Sequence, residues 1–171
     1  IYKDMNTKSH TFHKLTSKTN IIFFIMFVLL TFIDRITKYA AQHFLAEGDI
    51  ELIPGVLEFH YLENRGAAWG ILQNQRWLLV TITILVLVFL LMSYFKLPVT
   101  KRFHLLRFCI VLLAAGALGN LIDRLMNHYV IDFIYFRLID FPVFNVADCF
   151  VCISAVLILY CLLFRYKDEE L

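Results

Sequence analysis

Carboxyl groups, amides and cations recur at helical spacings beside long apolar runs in this sequence. Asp34 and Lys38 are four residues apart, Asn120 is followed by Asp123 and Arg124, and Asn145 precedes Asp148 by three. On a helix each of these sets falls on one face. Asp132 stands between Val130-Ile131 and Phe133. Ionisable groups inside a membrane are costly and face a protein interior or a water-filled site. Asp34 with Lys38 reads as an ion pair that offsets the cost of two charges in a low dielectric. Asp123 with Arg124 reads as a helix-end anchor, with a part at a binding site left open. Asp132 and Asp148 differ, because both have apolar neighbours and neither has an adjacent cation. A carboxyl group in such surroundings resists ionisation, and two together resist double ionisation more. One protonated and one charged carboxyl is the starting state for acid–base attack of water on an amide.

The elements that must position these groups are apolar helices. Of the residues, 60% are hydrophobic and 18% charged, against roughly 25% charged in a soluble domain. The apolar residues gather into four blocks, 21–45, 77–95, 105–122 and 149–164. A helix needs about 20 mostly apolar residues to cross a hydrocarbon core, so the expected fold is an all-α polytopic membrane protein with four spans. Basic residues set its orientation. Lys3, Lys8, Lys14 and Lys18 precede span one, and Lys96, Lys101, Arg102 and Arg107 lie between spans two and three. Arg165 and Lys167 follow span four. All fall on one side of a four-span path, which predicts cytoplasmic termini. The acidic connection after span one, with Glu47, Asp49, Glu51, Glu58 and Glu63, and the connection after span three then lie outside. Spans one and three run outward and span four returns, so every polar set named above arrives at one membrane face.

Residues 1–18 read as a loose polar arm or a non-native remnant, 19–167 as one four-span domain and 168–171 as a tail. The Lys-rich start before Ile21–Ile33 has the charge pattern of a secretory signal, but Ala40-Ala41-Gln42 is a poor cleavage site; a retained span is expected. Ile53-Pro54-Gly55 is a turn signal. Residues 56–63 alternate as a strand with Leu57, Phe59 and Tyr61 on one face, giving a small outer β-region that could shape a substrate groove at the lipid headgroups. In span three, Ala114-Ala115-Gly116-Ala117-Leu118-Gly119 lets neighbouring helices approach closely. Gly66 and Gly70 have the same spacing, and there packing and close approach to a ligand are both open. Cys149 and Cys152 form a C-x-x-C, but all four cysteines lie in apolar blocks and read as small buried hydrophobes. There is no His pair with ligand spacing, so neither metal nor other cofactor is expected. The +2 formal charge is accounted for by topology and suggests no nucleic acid partner.

Four segments, in order, resemble the motifs of the lipoprotein signal peptidase (signal peptidase II) family. They are Asp34-Arg35-Ile36-Thr37-Lys38, with Arg35 where Gln is common, and Asn64-Arg65-Gly66-Ala67-Ala68-Trp69-Gly70. Gly119-Asn120-Leu121-Ile122-Asp123-Arg124 with Val130-Ile131-Asp132-Phe133 is the third, and Phe141-Pro142-Val143-Phe144-Asn145-Val146-Ala147-Asp148 the fourth. The resemblance implies an aspartic endopeptidase of the bacterial cytoplasmic membrane, with its active site at the extracytoplasmic face. Its implied substrate is a lipid-modified prolipoprotein, cut before the diacylglyceryl-cysteine. Membrane lipid as a partner and a monomeric state are expectations apart from that resemblance. Asp132 and Asp148 become the catalytic pair. Asn64, Gly66, Asn120, Asp123, Arg124 and Asn145 become substrate-site groups, supported by Asp34 and Lys38. His128 stands where the family usually has Gly in a turn, and Asn127 beside it tolerates left-handed backbone. The reading from another class is a small proton-coupled transporter or assembly subunit, which requires charges strung across to the opposite face. The sequence has no inverted repeat to support it.

Overall fold

The computed structural model describes residues 2–67 and 70–166, with side chains from Lys18 onward. Its elements are α1 (Tyr2–Phe44), β1 (Ile50–Ile53), β2 (Leu57–Asn64), α2 (Arg76–Lys96), α3 (His104–Met126), β3 (Val130–Tyr135) and α4 (Val146–Tyr160). A single π-type turn, Cys161–Arg165, extends α4. Four stretches are long and apolar enough to span a membrane: Lys18–Phe44, Arg76–Lys96, Lys101–Met126 and Val146–Arg165. The chain is thus a multi-pass membrane protein. In place of the loose arm expected over residues 1–18, helical backbone runs from Tyr2. No Gly or Pro interrupts residues 2–44, so each added residue extends an existing helix without a new nucleation cost. The expected tail, 168–171, lies outside the described residues.

Span three is the centre of the bundle. Its apolar window is 56% buried, against 11%, 17% and 17% for spans one, two and four; the outer helices turn large apolar side chains such as Phe24, Phe89 and Val156 outward, as lipid requires. The small residues explain how α3 takes that place. A Cβ on Gly116 would lie 2.5 Å from the Ala147 carbonyl of α4 and 3.0 Å from Val151. One on Gly119 would collide with the Asp34 carboxylate of α1. Close packing, the reading from sequence, is what these glycines serve.

Two polar layers interrupt the apolar bundle. Arg107, counted from sequence as an orientation marker, is buried. Its guanidinium donates to Leu97 O at 2.8 Å and Asn20 Oδ1 at 2.7 Å and lies over the Tyr94 ring at 4.1 Å. These contacts tie α1, α2 and α3 at one end. From Phe108 to Leu118 span three has no charged group. The second layer lies at the other end, about 20 Å along the helix from Arg107 to Asn120 at 1.5 Å per residue.

A three-stranded antiparallel sheet, ordered β1-β2-β3, closes that end. Only β2 was expected. Phe59 and Tyr61 pack together on the cluster of Ala41, Leu45, Ile131 and Phe133, as their alternation predicts, but Glu58 is buried too and the pairing with β3 shifts between Phe59 and Leu62. An extra residue on one strand bends it and increases its twist. Arg137 holds the outer edge, donating to Glu51 of β1 and Glu58 of β2, each at 3.2 Å.

Candidate active site

β3 carries Asp132 into the site. Leu62 pairs with Asp132 and Asn64 with Val130, so these four share one sheet face, since side chains two apart point the same way. Asn64 and Asp132 are diagonal neighbours, close enough for side chains to meet, and Asn64 Nδ2 donates to Asp132 Oδ2 at 2.9 Å. The turn that starts β3 is made by His128 at φ 74°. Asn127 stays helical at φ −98°, so His128 itself takes the left-handed conformation that Asn127 was expected to relieve.

The next segment returns along β3. Phe144 accepts from Phe133 N and Ile134 N and donates to Ile134 O, which delivers Asn145 beside Asp132. Asn145 caps α4. Its Oδ1 accepts from Asp148 N at 3.0 Å while Asp148 Oδ2 accepts from Asn145 N at 3.1 Å, a reciprocal capping box. Asn145 Nδ2 donates to Asp132 Oδ1 at 2.6 Å, so one amide joins the carboxyl of β3 to the helix start that carries the other. Asn120 of α3 completes the link, donating to Asp148 Oδ1 at 2.8 Å and accepting from Asn145 at 3.2 Å and Lys38 Nζ at 2.8 Å.

Behind these groups lies a buried charge cluster. Lys38 Nζ is 3.1 Å from Asp34 and 2.9 Å from Asp123, with all three side chains fully buried. Asp34 also accepts from Ala147 N at 3.1 Å, satisfying an amide at the α4 N-terminus, where negative charge is favoured. Asp123 pairs with Arg35 as well and accepts from Ile131 N at 3.3 Å. It thereby fixes β3 against α3, which agrees with the anchor reading. Arg35, at the departure from the common Gln, supplies a second cation to Asp123.

Asp132 and Asp148 line one cavity of about 860 Å³. Asn64, Asn120 and Arg124 are on its polar side, and Phe141, Val143 and Val151 on its apolar side. Arg124 donates to Gly66 O at 3.0 Å. Gly66 is packed behind the wall, where a Cβ would meet Ile71 O at 2.6 Å; packing is therefore its visible role. Ala68 and Trp69 lie outside the described residues. Asp132 is 1% exposed. Burial first, then the charge of Asp148, pushes its carboxyl up to about 7, against the opposing hydrogen bonds from Asn64 and Asn145. The seven polar positions expected at the site from their motifs, with Gly66, Asp132 and Asp148, converge at this end of the bundle.

Other features were not anticipated. Cys149 and Cys152 line the cavity, and Cys152 is exposed, so only Cys109 and Cys161 are the buried thiols expected. The loop beside the cavity holds Leu72 and Asn74 at φ 59° and 63°, in addition to Gly70 at φ 69°. Among the described residues, Asp49, Glu58 and His60 bring ligand atoms within 4.8 Å of one another. However, Asp49 is hydrogen-bonded to His60 and Glu58 to Arg137, so that grouping reads as a surface network.

Known proteins resemble this chain over the stretch that holds these residues. Residues 26–164 match the family described as signal peptidase (SPase) II, a stretch that runs from before Asp34 to beyond Asp148. The lipoprotein signal peptidase of Streptococcus pyogenes serotype M1 is 37% identical over 153 residues, covering 87% of this chain and 95% of that protein. The same holds for the relative from serotype M5 (strain Manfredo). A bacterial membrane enzyme solved by the in meso method at 2.3 Å resolution superposes with a TM-score of 0.76 at 34% identity, covering 88% of this chain and 94% of that one. A second such structure, at 1.9 Å resolution, gives a TM-score of 0.72.

Proposed function

The chain belongs to the signal peptidase II family of aspartic-type endopeptidases, and on that premise we propose that Asp132 and Asp148 cleave signal peptides from diacylglyceryl-modified prolipoproteins. The observation that carries this is the joining of the two carboxyls through Asn145 at one cavity. A water between them gives a proton to the ionised carboxylate as its oxygen attacks the scissile carbonyl carbon. Asp148 is the base. Its carboxylate accepts from a backbone amide at a helix N-terminus and from Asn120, whose carbonyl is in turn bound by Lys38; each favours negative charge. Asp132 holds the proton, gives it to the carbonyl oxygen, and the pair then returns a proton to the leaving amine. The apolar wall suits acyl chains entering from the bilayer, and the polar wall suits the peptide.

The protein acts as a monomer in the bacterial cytoplasmic membrane, with both termini cytoplasmic and the cavity at the outer face. The distribution of basic residues supports that orientation. Reporters fused after Lys101 report cytoplasm and reporters near Glu51 report the exterior; the reverse result removes the site from the side where lipoproteins are processed. Incubating the purified protein in lipid with a diacylglyceryl-modified precursor tests the activity directly. Signal-peptide release is expected, and its absence from folded protein refutes the assignment. The transporter alternative has no support in the apolar stretch between the two polar layers.

A pH profile tests the division of roles. As pH rises through about 7 Asp132 loses its proton, so kcat at saturating substrate in one lipid environment falls on that side. The scheme needs one ionised and one protonated carboxyl together, so the profile is a bell. Stability has the same sign. Folded Asp132 holds its proton more tightly than the unfolded chain, whose carboxyl titrates near 3.8. Its contribution is fully present below that value and is lost as pH rises through about 7. Asp132→Asn therefore shows a smaller drop in melting temperature across this window than the wild type. A flat alkaline kcat with chemistry rate-limiting excludes the shared-proton scheme.

A further inference from the structure

The four cysteines divide into two classes. Cys109 and Cys161 have 0% exposure. Cys149 and Cys152 both line the catalytic cavity, and all four thiols are free. Cys149 follows Asp148 directly, and Cys152 lies three residues further along α4, on the same helix face. Their surroundings on the cavity wall include Val151, Phe144 and Val143. The mechanism above uses neither thiol. They therefore form an accessible pair of thiols on the wall of a cavity of about 860 Å³, next to the proposed base, with two sealed thiols in the same chain as internal references.

We propose that Cys149 and Cys152 are a modification site for small apolar thiol-reactive electrophiles, and that a group attached there closes the cavity to substrate. The inference rests on the peptidase reading for its activity readout alone. With an alkyl methanethiosulfonate the cysteine loses its proton to solvent, and the thiolate sulfur attacks the sulfenyl sulfur of the reagent. A protein–alkyl disulfide forms, the S–SO2 bond breaks and methanesulfinate leaves. A thiol reductant reverses the step. Closure by occupancy makes a specific demand: inhibition must grow with the size of the attached group, since the chemistry at sulfur is the same throughout.

The test compares methyl and benzyl methanethiosulfonate on the whole protein in lipid, with adducts located by mass spectrometry. Cys149 and Cys152 label in the folded protein, and Cys109 and Cys161 label only after unfolding. The benzyl adduct lowers kcat/KM about tenfold or more, the methyl adduct lowers it less, and dithiothreitol restores both. In the Cys149→Ala/Cys152→Ala protein the ratio of treated to untreated activity stays near one. A synthetic diacylglyceryl-cysteine peptide slows labelling of the wild type. Full activity in benzyl-labelled protein, equal inactivation of the double variant, or labelling of all four thiols alike overturns the proposal. Failure of the peptidase reading looks different: untreated protein releases no signal peptide, while the labelling pattern and its protection still decide whether the cavity thiols form the site.

Discussion

Replacing either Asp132 or Asp148 by Asn lowers precursor cleavage about a thousandfold, within the range expected for loss of a general acid or base, while the protein stays folded. The geometry separates these two effects. Asp132 accepts from two amides, Asn64 and Asn145, and Asp148 from Asn120 and the Asn145 backbone. An asparagine keeps the shape and one acceptor, so each variant forfeits about one hydrogen bond, roughly 1 kcal/mol. Thermal unfolding in a fixed detergent should place both variants within a few degrees of the wild type. Asp123→Asn behaves in the opposite way, with its main loss in stability, because Asp123 meets Arg35, Lys38 and Ile131. Full activity in either dyad variant refutes the catalytic assignment, and a well-folded but inactive Asp123→Asn moves that residue into the chemistry.

The largest effect on stability is expected from Lys38→Met. Lys38 lies between Asp34 and Asp123 with no solvent contact, and its removal leaves two carboxylates buried against each other with only Arg35 near one of them. Breaking a buried charge network by deleting one partner costs about 3–5 kcal/mol. Adding Asp34→Asn to Lys38→Met should return part of that loss, because the orphaned charge is removed while the amide still fills the space. The readout is the melting temperature of each protein in one detergent. If Lys38→Met melts with the wild type, the cluster does not hold α1 against α3 and α4.

What is legible in the sequence tracks the strength of the local signal. Four apolar runs and four ordered motifs placed the spans and brought Asp132, Asp148 and their amide partners to one end. β3 escaped notice because Val130–Phe133 is buried on both faces, so it has none of the alternation that reveals a half-exposed strand. β1 has four residues, all exposed, and offers no pattern either. The burial of Arg107 escaped the sequence for a different reason. Basic residues near span ends mark orientation on average, but the groups that bury this one come from two separate elements, Asn20 from α1 and Tyr94 with Leu97 from the end of α2. Their meeting depends on tertiary packing. The thiols of Cys149 and Cys152 were misplaced likewise, since apolar composition cannot tell a cavity wall from a core.

Asn145 has a consequence for the order in which activity arises during synthesis. The strand bearing Asp132 is made before the last span, and until that span winds its first turn the strand's carboxyl lacks one of its two amide donors. The hydrogen bonds that start α4 are the same ones that fix Asp148. A nascent chain stalled before residue 145 therefore has no second carboxyl and no bridge, and under the proposed mechanism cannot hydrolyse a passing precursor. Competence appears in one step with insertion of the final helix, so the molecule is inert until its whole membrane frame is in place.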